Sequence, residues 1–233
     1  MIVGVSLKMY FGLRQAHDWC RAVAELAAHR PELADGRTVL FVAPSHVAIP
    51  GAAEAFAGTP VRIAAQDVAA AERGAYTGEV SAAELAEAGV RVVEIGHAER
   101  RARFGETDEI VAAKVTVAAR HGITPLICVG ADPEAELRAA LSGNPPGPVW
   151  VAYEPLAYIG APKPAPTHEI TPVTRRLREV LAEYTADGAV LYGGSAGPGL
   201  FGELGDSVDG LFLGRFAHDP ANLIKVLDEG AHR

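Results

Sequence analysis

The feature that most constrains this 233-residue chain is an alternation. Short apolar runs recur at roughly even spacing, and each is followed by a segment with helical spacing. The strand-like runs are Ile2–Ser6, Thr38–Ala43, Val61–Ala65, Val90–Ile95, Thr124–Val129, Val149–Tyr153, Ala189–Tyr192 and Val208–Leu213. The helix-like segments are Ala16–His29, His46–Phe56, Ala82–Glu87, Glu106–His121, Pro133–Leu141, Thr171–Tyr184, a short piece after Pro198, and Pro220–Glu229. Continuous apolar runs of this length read as strands buried on both faces. Parallel strands need helical crossovers between them. Eight strand–helix pairs therefore predict an α/β fold, a (β/α)8 barrel, with a doubly wound open sheet as the rival. No linker or shift in composition divides the chain, so residues 1–233 read as a single domain.

Composition supports this reading and narrows the partners. Hydrophobic residues make up 49% of the chain and aromatic residues only 6%, so the core is aliphatic, as suits helices laid on parallel strands. A net charge of −8 argues against nucleic acid or an anionic membrane as partner. It does not exclude a small anion, because backbone dipoles hold phosphate well inside acidic proteins. Cys20 and Cys128 fall in a helix-like and a strand-like context, far apart and without metal-ligand spacing. They read as reduced, buried thiols of a cytoplasmic protein. No run is long enough to span a bilayer, and the apolar start is too short for a signal peptide.

In a barrel of this kind chemistry gathers where strands end. The run Val149–Tyr153 delivers the carboxylate of Glu154 at its tip, and Pro155 then ends the ladder because it has no N–H to donate. A segment dense in Gly and Pro follows to about Pro166, with one cation, Lys163, and a helix-like run starts near Thr167. This is how an α/β enzyme presents a base beneath a loop. The first strand ends in Lys8, whose cation can steer an anion or offset developing negative charge. The fourth ends in the densest cluster, Glu94-Ile95-Gly96-His97-Ala98-Glu99-Arg100-Arg101. If His97 also sits at a helix N-terminus, the helix dipole would favour its neutral ring, and Arg100 reads as half of a structural ion pair. Gly193 and Gly194 after the seventh strand, and Gly214-Arg215 after the eighth, form a pair of glycine-bearing loops suited to phosphate. The long loop Gly74-Ala75-Tyr76-Thr77-Gly78-Glu79 protrudes and suggests a partner subunit. The remaining histidines, among them His46, His218 and His232, read as helix, cap or tail positions without a role.

Together these motifs resemble triosephosphate isomerase over the whole chain. The carrying residues are Ser6-Leu7-Lys8-Met9, then Ile95-Gly96-His97-Ala98-Glu99-Arg100-Arg101 with Phe104-Gly105-Glu106, then Ala152-Tyr153-Glu154-Pro155 with Ile159-Gly160, and Leu191-Tyr192-Gly193-Gly194-Ser195. The resemblance implies aldose–ketose isomerisation through an enediolate, with the roles of glycolysis and gluconeogenesis. Glu154 would move the proton between adjacent carbons, neutral His97 would polarise the carbonyl, Lys8 would offset charge, and Glu99 would support Lys8. The neutral histidine beside a carboxylate base is an established pattern of that family, not a deduction from this sequence. Backbone N–H groups at Gly160, Ser195, Gly214 and Arg215 would hold the phosphate. The segment from Pro155 would close as a lid, and no metal or cofactor is called for. Tyr76 and Thr77 would lie in the contact of a homodimer, with Thr77 reaching toward the neighbouring site.

The chain also departs from the family's pattern. Ser6 stands where Asn is usual, Leu7 where Trp is, and Ala98 where Ser is. The lid has Ala157 for Trp and Pro162 for Gly, Ala131 replaces Glu, and Arg215 replaces the second glycine of the last phosphate loop. The small Ser6 and Ala98 would open room at the sugar end. The expected substrate pair is glyceraldehyde 3-phosphate and dihydroxyacetone phosphate. The alternatives are a tetrulose phosphate such as erythrulose phosphate and, from another class, a non-catalytic phosphometabolite binder.

Overall fold

The structure, a computed structural model, describes residues 1–231. His232, read above as a tail position, lies outside the described residues. Eight strands form the barrel: β1 (Ile2–Ser6), β2 (Val39–Ala43), β3 (Arg62–Ala65), β4 (Val90–Ile95), β5 (Thr124–Val129), β6 (Val149–Tyr153), β7 (Gly188–Tyr192) and β8 (Gly210–Leu213). All neighbours are parallel, and β1 pairs with β8 from Ile2↔Gly210 to Val5↔Leu213. That last pairing closes the sheet and excludes the open-sheet rival.

Between the strands run helices α1 (Leu13–Ala28), α2 (Pro31–Ala34), α3 (Ile49–Phe56), α4 (Ala82–Glu87), α5 (Ala98–Phe104), α6 (Asp108–Arg120), α7 (Pro133–Ala140), α8 (Thr167–Ala182), α9 (Leu200–Leu204) and α10 (Pro220–Ala231). Among the boundaries that differ from the sequence expectation, two stand out. The segment expected as one helix over Glu106–His121 begins at Asp108, capped by the Thr107 hydroxyl, and α5 precedes it. No residue of α5 is buried, so it carries no apolar periodicity to read. Gly105, at φ 69°, provides the left-handed turn between the two. In turn α8 starts at Thr167, where the run after the Gly- and Pro-rich segment was read to begin, four residues before the Thr171 bound of the periodic segment. Pro172 marks no helix start, since the only bond its ring forfeits is to the carbonyl of the exposed His168.

Two cores follow from the strand period of two. Outward residues such as Val3, Val5, Ile95, Val151 and Val190 pack under the helices, with Leu137, Ile170, Leu177 and Leu223. Inward residues fill the barrel: Phe41 lies against Trp150 and Phe212 at centroid distances of 5.7 and 5.8 Å. Gly4 makes room for them, since a Cβ there would stand 2.1 Å from the Phe41 ring. With the interior plugged, the strand tips form a floor on which polar side chains can converge. Both cysteines are free and buried. Among the described residues no helix is long and apolar enough to cross a membrane.

Candidate active site

At the C-terminal mouth of the barrel lies a cavity of about 630 Å³. It is lined by Ser6, Lys8, His97, Glu99 and Glu154, and by Gly160, Gly193, Ser195, Gly214 and Arg215. Strand phase explains much of this convergence. Ser6 continues the inward set Gly4-Ser6, and Glu154 extends the inward set Trp150-Ala152.

Lys8 sits in the left-handed region at φ 47°, a strain of about 1–3 kcal/mol for a non-glycine residue. It is held there from both sides. Its carbonyl accepts from Gln66 Nε2 at 3.1 Å, and its ammonium donates to Glu99 Oε1 at 2.7 Å. Burial works against the Lys8 cation, but the Glu99 bond and nearby carboxylates outweigh it, so its pKa is raised.

His97 caps α5. Its Nδ1 accepts from the Glu99 backbone N–H at 3.0 Å, which assigns the proton of the neutral ring to Nε2. Burial and the adjacent Lys8 ammonium, 3.3 Å from Nε2, push its pKa down to about 4. The ring is therefore a neutral donor over the physiological range. Glu154 Oε2 lies 3.3 Å from the same Nε2 and has no hydrogen-bond partner among the described residues. Burial, and then the charge of Glu94, push the Glu154 carboxyl up to about 8. A carboxylate with a free buried oxygen, beside a neutral N–H and a fixed ammonium, can take a proton from carbon while the carbonyl oxygen is polarised.

Around this core Arg100 binds Asp67 and Glu106, and Lys114 binds the same two carboxylates. Arg100 is thus structural, as read from the sequence, but its partners are Asp67 and Glu106; Glu99 is given over to Lys8. Gly193 has a second use besides any phosphate cradle: a Cβ there would stand 2.7 Å from Glu154 Cγ. At Gly194 a Cβ would meet Tyr192 Oη at 2.7 Å and Pro155 Cδ at 3.1 Å, so this glycine serves packing behind the loop. Ala98 does not widen the main cavity. It lines a separate cavity of about 270 Å³ with Cys128, Ala131 and Leu156.

The proline-bearing segment lines one side of the cavity and is tied to its rim. Ala165 N–H donates to Tyr192 Oη at 3.0 Å, Ser195 Oγ to the Tyr158 carbonyl at 2.7 Å, and Arg215 Nη2 to the Gly160 carbonyl at 3.3 Å. Beside Ala131 the loop is held from α7, where the Glu136 carboxylate accepts from the N–H of Gly130 at 2.7 Å.

Three residues at the site were quoted or passed over without a role: Gln66, His218 and Glu94. His218 Nε2 contacts the Ser6 carbonyl at 3.3 Å, and its ring packs edge-on to Phe11 and Tyr10. Glu94 is buried, its Oε2 accepts from Ser6 Oγ at 3.1 Å, and its Oε1 lies 3.9 Å from His97 Nε2. Burial pushes the Glu94 carboxyl up to about 7, against the pull of Lys8 and Ser6. The inward phase Val92-Glu94 was the signal that could have found it.

The triosephosphate isomerase family profile matches residues 1–230. The chain belongs to the triosephosphate isomerase family. It is accordingly an isomerase, on the barrel that the resemblance implied. The chain is 46% identical over 246 residues to the L-erythrulose-1-phosphate isomerase of Pectobacterium atrosepticum, covering 98% of this chain and 95% of that one. It is 36% identical to the protein of the same name from Rhizobium etli, covering 97% and 90%. Against the triosephosphate isomerase of Thermus thermophilus it is 37% identical, with 92% of each chain covered.

Proposed function

We propose that this isomerase acts on a four-carbon ketose phosphate of the L-erythrulose 1-phosphate type, through an enediolate made and quenched by Glu154. The observation that carries the choice of substrate is the similarity, over nearly the full length of both chains, to the relative of that name at 46% identity. With phosphate on the first carbon, that carbon is not free to become an aldehyde. The carbonyl then passes from the second carbon to the third by the proton transfer that interconverts triose phosphates. Glu154 removes the proton from one carbon and returns it to the next. The Nε2–H of His97 polarises the carbonyl oxygen and exchanges protons with the two enediolate oxygens, and Lys8 offsets their charge while Glu99 holds Lys8 in place. Gly160, Ser195, Gly193, Gly214 and Arg215 receive the phosphate, and the lid, closing on the bound substrate, excludes water that would promote its loss from the intermediate.

A triose phosphate is the second reading, favoured by the intact set of Lys8, His97 and Glu154 and by the Thermus thermophilus relative. A non-catalytic phosphometabolite binder is disfavoured by the same intact set and by relatives that are named as isomerases. A homodimer formed through the loops after the first four strands fits the exposed apolar side chains there. Met9 is 96% exposed, Val47 78%, Phe104 68% and Tyr76 55%. Thr77, exposed on the same loop as Tyr76, would then approach the partner's site.

The test is kcat/KM on L-erythrulose 1-phosphate beside dihydroxyacetone phosphate under identical conditions. A clear preference for the tetrulose is expected. A preference for the triose phosphate would overturn the substrate reading and leave the isomerase chemistry standing.

A further inference from the structure

Of the buried ionisable groups outside the proton-transfer set, Asp67, Glu106 and Lys114 are paired with one another and with the half-buried Arg100. Glu94 is different. It is a carboxyl group placed inside the barrel by strand phase, among Lys8, His97, Glu99 and Glu154, and the proton transfer does not use it. Its hydrogen bond is to Ser6, which stands at the cavity wall, whereas Glu94 lies behind it.

Ser6 is gripped at several points. Its strand register is fixed by pairing with Ala43, its carbonyl meets His218 Nε2 at 3.3 Å, and its hydroxyl donates to Glu94 at 3.1 Å. A serine hydroxyl has one proton and two lone pairs. With the proton directed to Glu94, the lone pairs are what the cavity meets. Ser6 thereby offers an acceptor beside the donors Lys8 Nζ and His97 Nε2–H, while the wall's two carboxylates are committed elsewhere, Glu99 to Lys8 and Glu154 to the proton transfer. A triose phosphate has a single free hydroxyl beside its carbonyl, and the reacting centre consumes both oxygens. A tetrulose phosphate adds a hydroxymethyl group on the reacting carbon, with an O–H that needs an acceptor close to His97. The Ser6–Glu94 pair adjoins His97, since Glu94 Oε1 is 3.9 Å from its Nε2.

We propose that Glu94 is a positioning residue that orients Ser6 Oγ as the acceptor for the extra hydroxyl of a four-carbon substrate, so that the pair sets substrate length. This rests on the tetrulose reading above. A site built to hydrogen-bond a substrate hydroxyl discriminates strongly against an analogue that lacks it. A smaller side chain than the Asn of the family pattern leaves the room.

The experiment measures kcat and KM of wild type, Glu94→Val, Glu94→Gln and Ser6→Ala, each on L-erythrulose 1-phosphate and on dihydroxyacetone phosphate. Glu94→Val should lower kcat/KM for the tetrulose by at least about 100-fold, chiefly through KM, and for the triose phosphate by no more than about tenfold. Glu94→Gln, whose amide oxygen can still accept from Ser6, should restore most of that selectivity. Ser6→Ala should shift selectivity in the same direction without disturbing the interior, and the double variant Ser6→Ala/Glu94→Val should lose no more than the worse single one. Equal losses on both substrates, or losses that multiply in the double variant, would overturn the proposal. If Glu94→Val does not fold, Ser6→Ala and Glu94→Gln decide by the same ratio. A wild type that prefers the triose phosphate defeats the substrate reading itself. A wild type that prefers the tetrulose, with variants of unchanged selectivity, defeats only this inference.

Discussion

On the side of β1 and β4 the cavity wall is held by charged side chains, whereas on the side of β6, β7 and β8 it is held by backbone. Lys8, Glu99, His97 and Glu94 contact one another directly, braced by the ion pairs around Arg100 and Lys114. Across the cavity, the lid and the glycine loops meet through carbonyls, N–H groups and two hydroxyls, with Arg215 as the lone long cation in those contacts. The first side sets proton affinities; the second sets access. Glu154 belongs to both, rooted at the lid hinge but aimed at His97. A barrel can thus divide chemistry from closure simply by drawing them from different strands.

The sharpest way to break this division is Glu154→Gln. It keeps the shape of the hinge but removes the base, so kcat should fall on the order of 10²–10⁴-fold with the phosphate-end contribution to KM retained. An unchanged kcat would remove Glu154 from the chemistry. A smaller change is expected from Arg215→Gly on the other side. Losing the bond to the Gly160 carbonyl and the cation at the rim should raise KM by about tenfold while kcat changes less. A loss confined to kcat would place Arg215 on the chemical side instead. The smallest effect sharpens the comparison from within the charged wall. Because Glu154 must be ionised to act and its pKa is raised to about 8, kcat/KM should climb with pH through that region. Glu94 contributes to the raising, so Glu94→Gln should move the limb to lower pH. An unmoved limb in the pH–rate profile would mean that the two carboxyl groups do not interact.

Legibility differed between the two sides for physical reasons. Lys8, His97, Glu99 and Glu154 announce themselves because ionisable residues at the tips of apolar strands are unusual. Glu94 was harder to see because it lies one turn of the pleat inside the strand, where a carboxylate reads as part of a surface cluster. His218 and Gln66 act through polar contacts to backbone carbonyls some 212 and 58 residues away, which no local pattern encodes. The conformation of the lid was not legible at all: its left-handed turn falls at Gly160 with φ 72°, and its anchors on Tyr192, Ser195 and Arg215 lie far along the chain. The short exposed α5 went unseen, although it is what sets His97 as a cap.

By itself the sequence determined the alternation of strands and helices, hence the barrel, and the strand tips at which chemistry had to lie. Period, turn residues and propensity act between near neighbours, and those are the terms a linear reading holds. Only the tertiary structure decided that β1 meets β8, that Ser6 donates to Glu94, that Gly193 yields its side-chain space to Glu154, and that the lid rests on Tyr192, Ser195 and Arg215. Each of these depends on distances between residues far apart in the chain, which ring closure and close packing set together.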